Sequence, residues 1–139
     1  MNKLYLLSIL LILGIASNTN AAPPGLYVPN WDGGTATNGE VLQYNSITGD
    51  FIQTVIPSLG IDIIQGMTLG PDGNLYLSVV DTKNNVNGRV LRYDLDGNFI
   101  DEFISPGEGS LVFPTGLRFG PDGNLYVASN APGTDEILK

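Results

Sequence analysis

Gly66-Met-Thr-Leu-Gly-Pro-Asp-Gly-Asn-Leu-Tyr-Leu-Ser-Val79 returns as Gly116-Leu-Arg-Phe-Gly-Pro-Asp-Gly-Asn-Leu-Tyr-Val-Ala-Ser129, with eight identities in fourteen positions at an offset of 50. A second pair keeps the same phase: Gly39-Glu-Val-Leu-Gln-Tyr-Asn45 matches Gly88-Arg-Val-Leu-Arg-Tyr-Asp94 at an offset of 49, and Phe51-Ile52 matches Phe99-Ile100 at 48. Leu26-Tyr27-Val28 aligns with Leu75-Tyr76-Leu77 and with Leu125-Tyr126-Val127. A period of this length marks a stack of supersecondary units, each too small to bury its own apolar face.

Within one complete unit the sequence predicts four strands, at 66–69, 74–80, 89–94 and 99–104, separated by turn signals. In Gly70-Pro71-Asp72-Gly73 the proline presets φ at the first corner, Asp72 tolerates the second, and Gly73 takes positive φ without a Cβ penalty. Asp96-Gly97 does the same between the third and fourth strands. The unit therefore reads as a four-stranded antiparallel meander. In Asn74 to Leu77 and Asn124 to Ala128, Leu and Val alternate with Tyr and Ala, so both faces are apolar and both call for a cover. The fourth strand sets Asp101 and Glu102 among Phe99, Ile100, Phe103 and Ile104, as a strand nearer to water would. Four-stranded units with two covered faces and a wetter outer edge, repeating about every 49–50 residues, are the pattern of β-propeller blades. The fold class expected is all-β. A β-sandwich is the alternative, but it does not require the same turn at the same phase.

Composition narrows the chemistry. The 139 residues hold 18 Gly and 9 Pro, no Cys and no His, and 14 acidic against 6 basic side chains. Without His or Cys the chain cannot build the usual zinc sites, a Cys nucleophile, a disulfide or a Ser-His-Asp triad. A net charge of −8 argues against nucleic acid and anionic lipid, whose binding runs on clustered Lys and Arg. Arg89, Arg92 and Arg118 are the only arginines, and acidic residues surround the first two, so no basic face for RNA is expected.

Residues 1–21 read as a secretory signal peptide: Lys3 supplies the positive start, Leu4 to Ile15 an apolar run, and Ser17 to Ala22 a small, polar exit. The run is shorter than the ~20 residues that span a bilayer, so no membrane anchor is expected after cleavage. That leaves residues 22–139, a secreted or periplasmic chain of 118 residues.

At Pro114-Thr115-Gly116-Leu117-Arg118-Phe119-Gly120-Pro121-Asp122-Gly123-Asn124-Leu125-Tyr126-Val127-Ala128, and again at Val80-Asp81-Thr82 followed by Gly88 to Asp94, the sequence resembles the NHL-repeat and SMP-30/gluconolactonase-like six-bladed β-propeller superfamily. The resemblance covers essentially all of residues 22–139. It implies fold more than function, because similar repeats serve as protein- or RNA-binding platforms, as metal-dependent lactonases and as lyases. The lactonases hold a divalent cation at the channel mouth with Glu, Asn and Asp, the Asn commonly just before the Gly that opens an inner strand. Gln65 and Thr115 stand there in this chain. A hard cation such as Ca²⁺ wants about 6–8 oxygens, several of them carboxylates, and neither an amide nor a hydroxyl supplies that charge. Asp81, just after a second strand, sits where the family sometimes carries an acidic site residue, and its counterpart in the next repeat falls at Asn130 or Ala131; the other reading of Asp81 is a solvated or turn-capping carboxylate. The streptogramin-type lyases resemble this fold too, but their chemistry uses a His base that this chain lacks.

Other candidates are weaker. Asp94-Leu-Asp-Gly-Asn98 lacks the later Glu of a calcium loop and is better explained as a hairpin turn. Pro106-Gly-Glu-Gly-Ser110 has neither a following Lys nor a helix, so it reads as a connection between units rather than a phosphate cradle. Trp31 either stacks on a sugar ring at a loop tip or packs on the adjacent unit.

Counting strands, residues 26–56 supply a first blade without its first strand, 66–104 a whole blade, and 116–139 an incomplete third, about two and a third blades in all. A ring of 4 to 8 blades at about 49 residues each needs roughly 200–400 residues. The sequence thus leads to the expectation of a propeller segment, part of a longer protein, that serves as a binding or scaffold module and has no catalytic set of its own. Its expected partners are further blades or a second copy, with a protein or carbohydrate ligand. The alternative is part of a metal-dependent lactonase or hydrolase whose site lies mostly in other blades; no cofactor is expected otherwise, and Ca²⁺ or another divalent metal only in a complete ring.

Overall fold

The computed structural model describes residues 25–30, 39–58, 62–81, 88–131 and 134–139. Residues 1–21 and Trp31 lie outside them. Among the described residues the chain is all-β apart from one 3-10 turn at Glu108–Ser110, and no helix is long and apolar enough to cross a membrane.

The strands form three open antiparallel sheets, each a meander. The first holds β1 (Gly25–Asn30), β2 (Glu40–Asn45) and β3 (Phe51–Ile56) in that order. The middle sheet holds β4 (Asp62–Leu69), β5 (Leu75–Asp81), β6 (Arg89–Tyr93) and β7 (Phe99–Ile104). The third holds β8 (Pro114–Phe119), β9 (Leu125–Ala131) and β10 (Thr134–Leu138). The four-stranded unit read from the sequence is thus present once in full, and the Glu108–Ser110 turn lies in the connection from β7 to β8.

The units agree down to their irregularities. In β2–β3 the register shifts between Val41 and Leu42 and again between Gln43 and Tyr44; in β6–β7 it shifts between Val90 and Leu91 and between Arg92 and Tyr93. Val55 and Phe103 are the extra residues of one bulge, Ile52 and Ile100 of the other. The turn closed by Asn45 and Asp50 holds one residue more than that closed by Asp94 and Asn98, which is why the offset falls from 49 to 48 across it. Both turns close on a glycine of positive φ, Gly49 at 77° and Gly97 at 85°, where a side chain would be strained.

Two boundaries differ from the sequence reading. The first strand of the middle unit begins at Asp62 rather than Gly66, because a bulge lets Ile63 and Ile64 keep pairing with Val80 and Val79 on the far side of it. The third unit carries a full third strand, with Leu138 opposite Val127.

The middle sheet is covered on both faces, as its alternation requires. Leu75, Leu77, Val79, Leu91 and Tyr93 pack with Val41, Val55 and Ile56 of the first sheet. Tyr76 and Val90, on the other face, pack with Leu111, Leu125 and Val127. Two faces of one four-stranded sheet therefore hold most of the core. The strand-to-strand relation also repeats in part: β1 lies against β4, and β5, its equivalent in the repeat, lies against β8, which also meets β4.

Candidate functional site

Four of the five sequence candidates fall at one end of the sheets, opposite the Gly-Pro-Asp-Gly turns. Ile64 pairs with Val79 and Gly66 with Ser78, leaving Gln65 as the extra residue of a β-bulge. Pro114 pairs with Ser129 and Gly116 with Ala128, leaving Thr115 as the extra residue of the same bulge one repeat later. A bulge twists the strand locally and re-aims one side chain, so the repeat presents a polar group at the same phase twice.

The two bulges are neighbours. A Cβ built on Gly66 would lie 3.3 Å from Gly116 Cα and 3.0 Å from Leu117 Cδ2, so β4 approaches β8 through two glycines. Gln65 is half-buried and Thr115 exposed. Thr115 Oγ1 donates to the Ala128 carbonyl at 3.5 Å. The Ser78 hydroxyl donates to the Gly66 carbonyl at 3.4 Å, which ties the bulge to the adjacent strand. Asp81 closes β5 at this same end, directly opposite Asp62 in register; of these two the backbone alone is described. Asn130 is exposed near the end of β9, its backbone N–H donating to the Phe113 carbonyl at 2.8 Å. The fifth candidate, Trp31, lies outside the described residues.

The polar side chains that reach the surface at this end, the Gln65 and Asn130 amides and the Thr115 hydroxyl, are neutral hydrogen-bonding groups that suit a polar, uncharged ligand. Among the described residues no cluster of three or more His, Cys, Asp or Glu could hold a metal ion.

A second polar cluster, at the turn end, escaped the sequence reading. Asp72 Oδ2 accepts from Asn74 Nδ2 at 2.7 Å and from the Tyr76 hydroxyl at 3.0 Å, and Oδ1 accepts from the Asn74 backbone at 3.2 Å. Asp122 repeats every one of these with Asn124 and Tyr126, at the same distances. Arg92 reaches Asp72 at 3.4 Å and the Tyr76 hydroxyl at 3.3 Å, and donates through Nε to Asp101 at 3.0 Å. Lys139 bonds Asp122 at 2.9 Å and stands over the Tyr126 ring, as Arg92 stands over Tyr76. In the first sheet the same positions hold an uncharged version: Gln43 donates to the Tyr27 hydroxyl at 3.3 Å and accepts from Gln53 at 2.9 Å. The signal was available in the recurring Asp-Gly-Asn-Leu-Tyr, but pairing it with Arg92 and Lys139 needs the strand register.

Electrostatics here follow from the hydrogen bonds. Burial alone would raise the Asp72 carboxyl; the bonds from Asn74 and Tyr76 outweigh it and hold it below the ordinary carboxylate range. Asn124 and Lys139 hold Asp122 well below that range. Burial raises the Tyr76 phenol. Carboxylates this firmly held as anions are poor proton carriers at neutral pH, so this cluster fits a structural part better than acid–base chemistry.

No protein-family model, curated protein or solved structure matches the chain.

Proposed function

We propose that the chain is a segment of a β-propeller, of the NHL and SMP-30-like kind its repeats resemble, and that it works outside the cytoplasm as a binding or scaffold module. One observation carries the reading: successive sheets stack face to face twice through residues that the repeat makes equivalent, Val41 with Leu75 and Leu77 at the first junction and Val90 with Leu125 and Val127 at the second, as successive blades of a propeller would. The presented surface in this reading is the bulged end, where Gln65 and Thr115 recur as the extra residue of equivalent first strands. Its neutral amides and hydroxyl suit a carbohydrate, or the backbone of a protein ligand.

A glycan array probed with the labelled chain tests this. Binding that is lost in the Gln65→Ala, Thr115→Ala double variant, with unchanged far-UV circular dichroism, supports the reading. Equal binding by both chains removes the bulged end as the surface. Turnover of an aryl ester or lactone that a chelator abolishes would replace the scaffold with the hydrolase alternative, for which the facing positions of Asp62 and Asp81 at this end are the favouring observation.

A further inference from the structure

The outer strands of the first two sheets open on the same pair, Phe51-Ile52 in β3 and Phe99-Ile100 in β7, and both pairs stand in water. Phe51 and Phe99 are each 57% exposed, and Ile52 and Ile100 are 43% and 42% exposed. Their surroundings differ more than these values do. Phe99 packs edge-on against Tyr93, a member of the cluster shared with the first sheet, with ring centroids 5.4 Å apart. Phe51 packs the same way on Tyr44 at 5.7 Å, on a face that no sheet covers among the described residues. Exposure that is equal with and without a neighbouring sheet belongs to the outer strand itself, whichever sheets stand beside it.

Packing within the sheets does not account for the isoleucines. Each is the extra residue of a bulge, with no partner across the strand, and a bulge re-aims the side chain it carries. Apolar side chains that recur at one exposed phase in successive units point to a contact surface rather than a core. The two pairs share one rim. The Asp94–Asn98 turn leans on β3, since an added Cβ at Gly97 would collide with the Val55 carbonyl; that turn carries the exposed Leu95 and leads directly into Phe99. The rim is also acidic. Asp50, Asp94, Asp96, Asp101 and Glu102 stand in these strands and turns, and the basic residues of the strands beside them are Arg89 and Arg92. Glu102 pairs with Arg89 at 3.8 Å and Asp101 with Arg92. Among the described residues no cation lies within ion-pair distance of Asp50, Asp94 or Asp96.

We propose that this rim is a docking surface for a cationic segment of a partner protein, whose apolar side chains seat on the two Phe-Ile pairs and whose lysines or arginines face Asp50, Asp94 and Asp96. Charge decides the occupant. A second copy of the chain would set the same acids against one another, and an anionic membrane surface would be repelled, whereas a basic segment is attracted and held in register. The surface lies on the outer strands and uses neither Gln65 nor Thr115. It therefore goes beyond the reading of the bulged end, and either can fail while the other stands.

Fluorescence anisotropy of a labelled synthetic peptide of alternating leucine and lysine, titrated with the full chain, tests it. Saturable binding is expected, weakening as salt is raised, and none with the peptide in which glutamate replaces lysine. The Ile52→Ser, Ile100→Ser chain should bind about tenfold more weakly. The Asp50→Asn, Asp96→Asn chain should bind about threefold more weakly, with a shallower dependence on salt. Asp50 and Asp96 are exposed, so the second variant keeps the test valid even where the first fails to fold. Absence of saturable binding to a chain with native circular dichroism overturns the proposal, as does binding that either folded variant retains in full. Two further results would name another occupant and overturn it equally: dimers in sedimentation equilibrium that the isoleucine variant loses, or binding to phosphatidylcholine vesicles that it loses.

Discussion

The Tyr76 hydroxyl donates to Asp72 Oδ2 at 3.0 Å, bridging the turn that joins the first two strands of the middle sheet, and Arg92 lies over the same ring from the third strand. One carboxylate thereby fixes the turn, orients the buried ring and anchors the neighbouring strand. The next repeat builds the same knot from Asp122, Tyr126 and Lys139.

The two knots and the Asp94–Asn98 turn make stability depend on acid. Asp72, Asp94 and Asp122 all have folded-state pKa values below those of the unfolded chain. The unfolded state therefore takes up protons first, and the stabilisation is complete above the unfolded value of about 3.9 and lost as pH falls through the folded values. Thermal midpoints measured by circular dichroism should be level from pH 7 to 5 and fall below about pH 4. Asp72→Asn should flatten part of that fall. Asp72→Ala, which removes acceptors for Asn74, Tyr76 and Arg92, should cost about 1 kcal/mol at neutral pH. A variant with an unchanged acid limb and midpoint would remove Asp72 from this role.

Two glycines separate the demands of a turn from those of a sheet junction. Gly73 and Gly97 both have positive φ, 80° and 85°. An added Cβ at Gly73 meets open space, while one at Gly97 meets the backbone of Val55 in the first sheet. Gly73→Ala should then cost only the left-handed penalty of about 1 kcal/mol. Gly97→Ala should cost clearly more, because β3 or the turn has to move. Urea midpoints of the two variants check this, and equal losses would show that the first sheet does not press on the Asp94–Asn98 turn.

Leu77 gives the matching test of the core. It is 0% exposed, in the centre of β5 and within the cluster shared with the first sheet. Leu77→Ala should lower stability by roughly 2–5 kcal/mol in denaturant unfolding, the spread reflecting how far the first sheet can collapse onto the cavity. A loss below about 1 kcal/mol would mean that the first and middle sheets do not pack as one core.

Much of this was legible beforehand, for reasons that differ from feature to feature. Strands and turns could be read because Gly-Pro-Asp-Gly and Asp-Gly fix their geometry locally. The double burial of β5 could be read because Leu75, Tyr76 and Leu77 leave neither face polar. The bulges at Gln65 and Thr115 could not, since a bulge is a mismatch between two strands and shows in neither alone. Gly66 reads as an opening glycine, yet its use is a close approach to Gly116, fifty residues away. The Arg92–Asp101 pair was hidden for a related reason: the bulge at Ile100 brings Asp101 opposite Arg92 instead of one residue along.

The third sheet, which packs on one other sheet among the described residues, leads to a last expectation, about solution behaviour. Tyr76 is 3% exposed because Phe119 of the third sheet packs edge-on against it, with ring centroids 4.9 Å apart. Tyr126, its equivalent, is only half-buried, and the space a Cβ would take at Gly116 is open, whereas at Gly66 it is lined by the next sheet. On β10, which among the described residues pairs with β9 alone, Ile137 is 75% exposed. An apolar side chain on a free edge invites strand pairing between copies, and a lysine there discourages it. Ile137→Lys should therefore reduce the concentration-dependent light scattering of the chain, while its thermal midpoint shifts by less than about 0.5 kcal/mol equivalent, as for any exposed site. Scattering that persists unchanged in the variant would move the sticking surface away from this edge, to the first sheet, where Phe51 is 57% exposed and stacks edge-on against Tyr44.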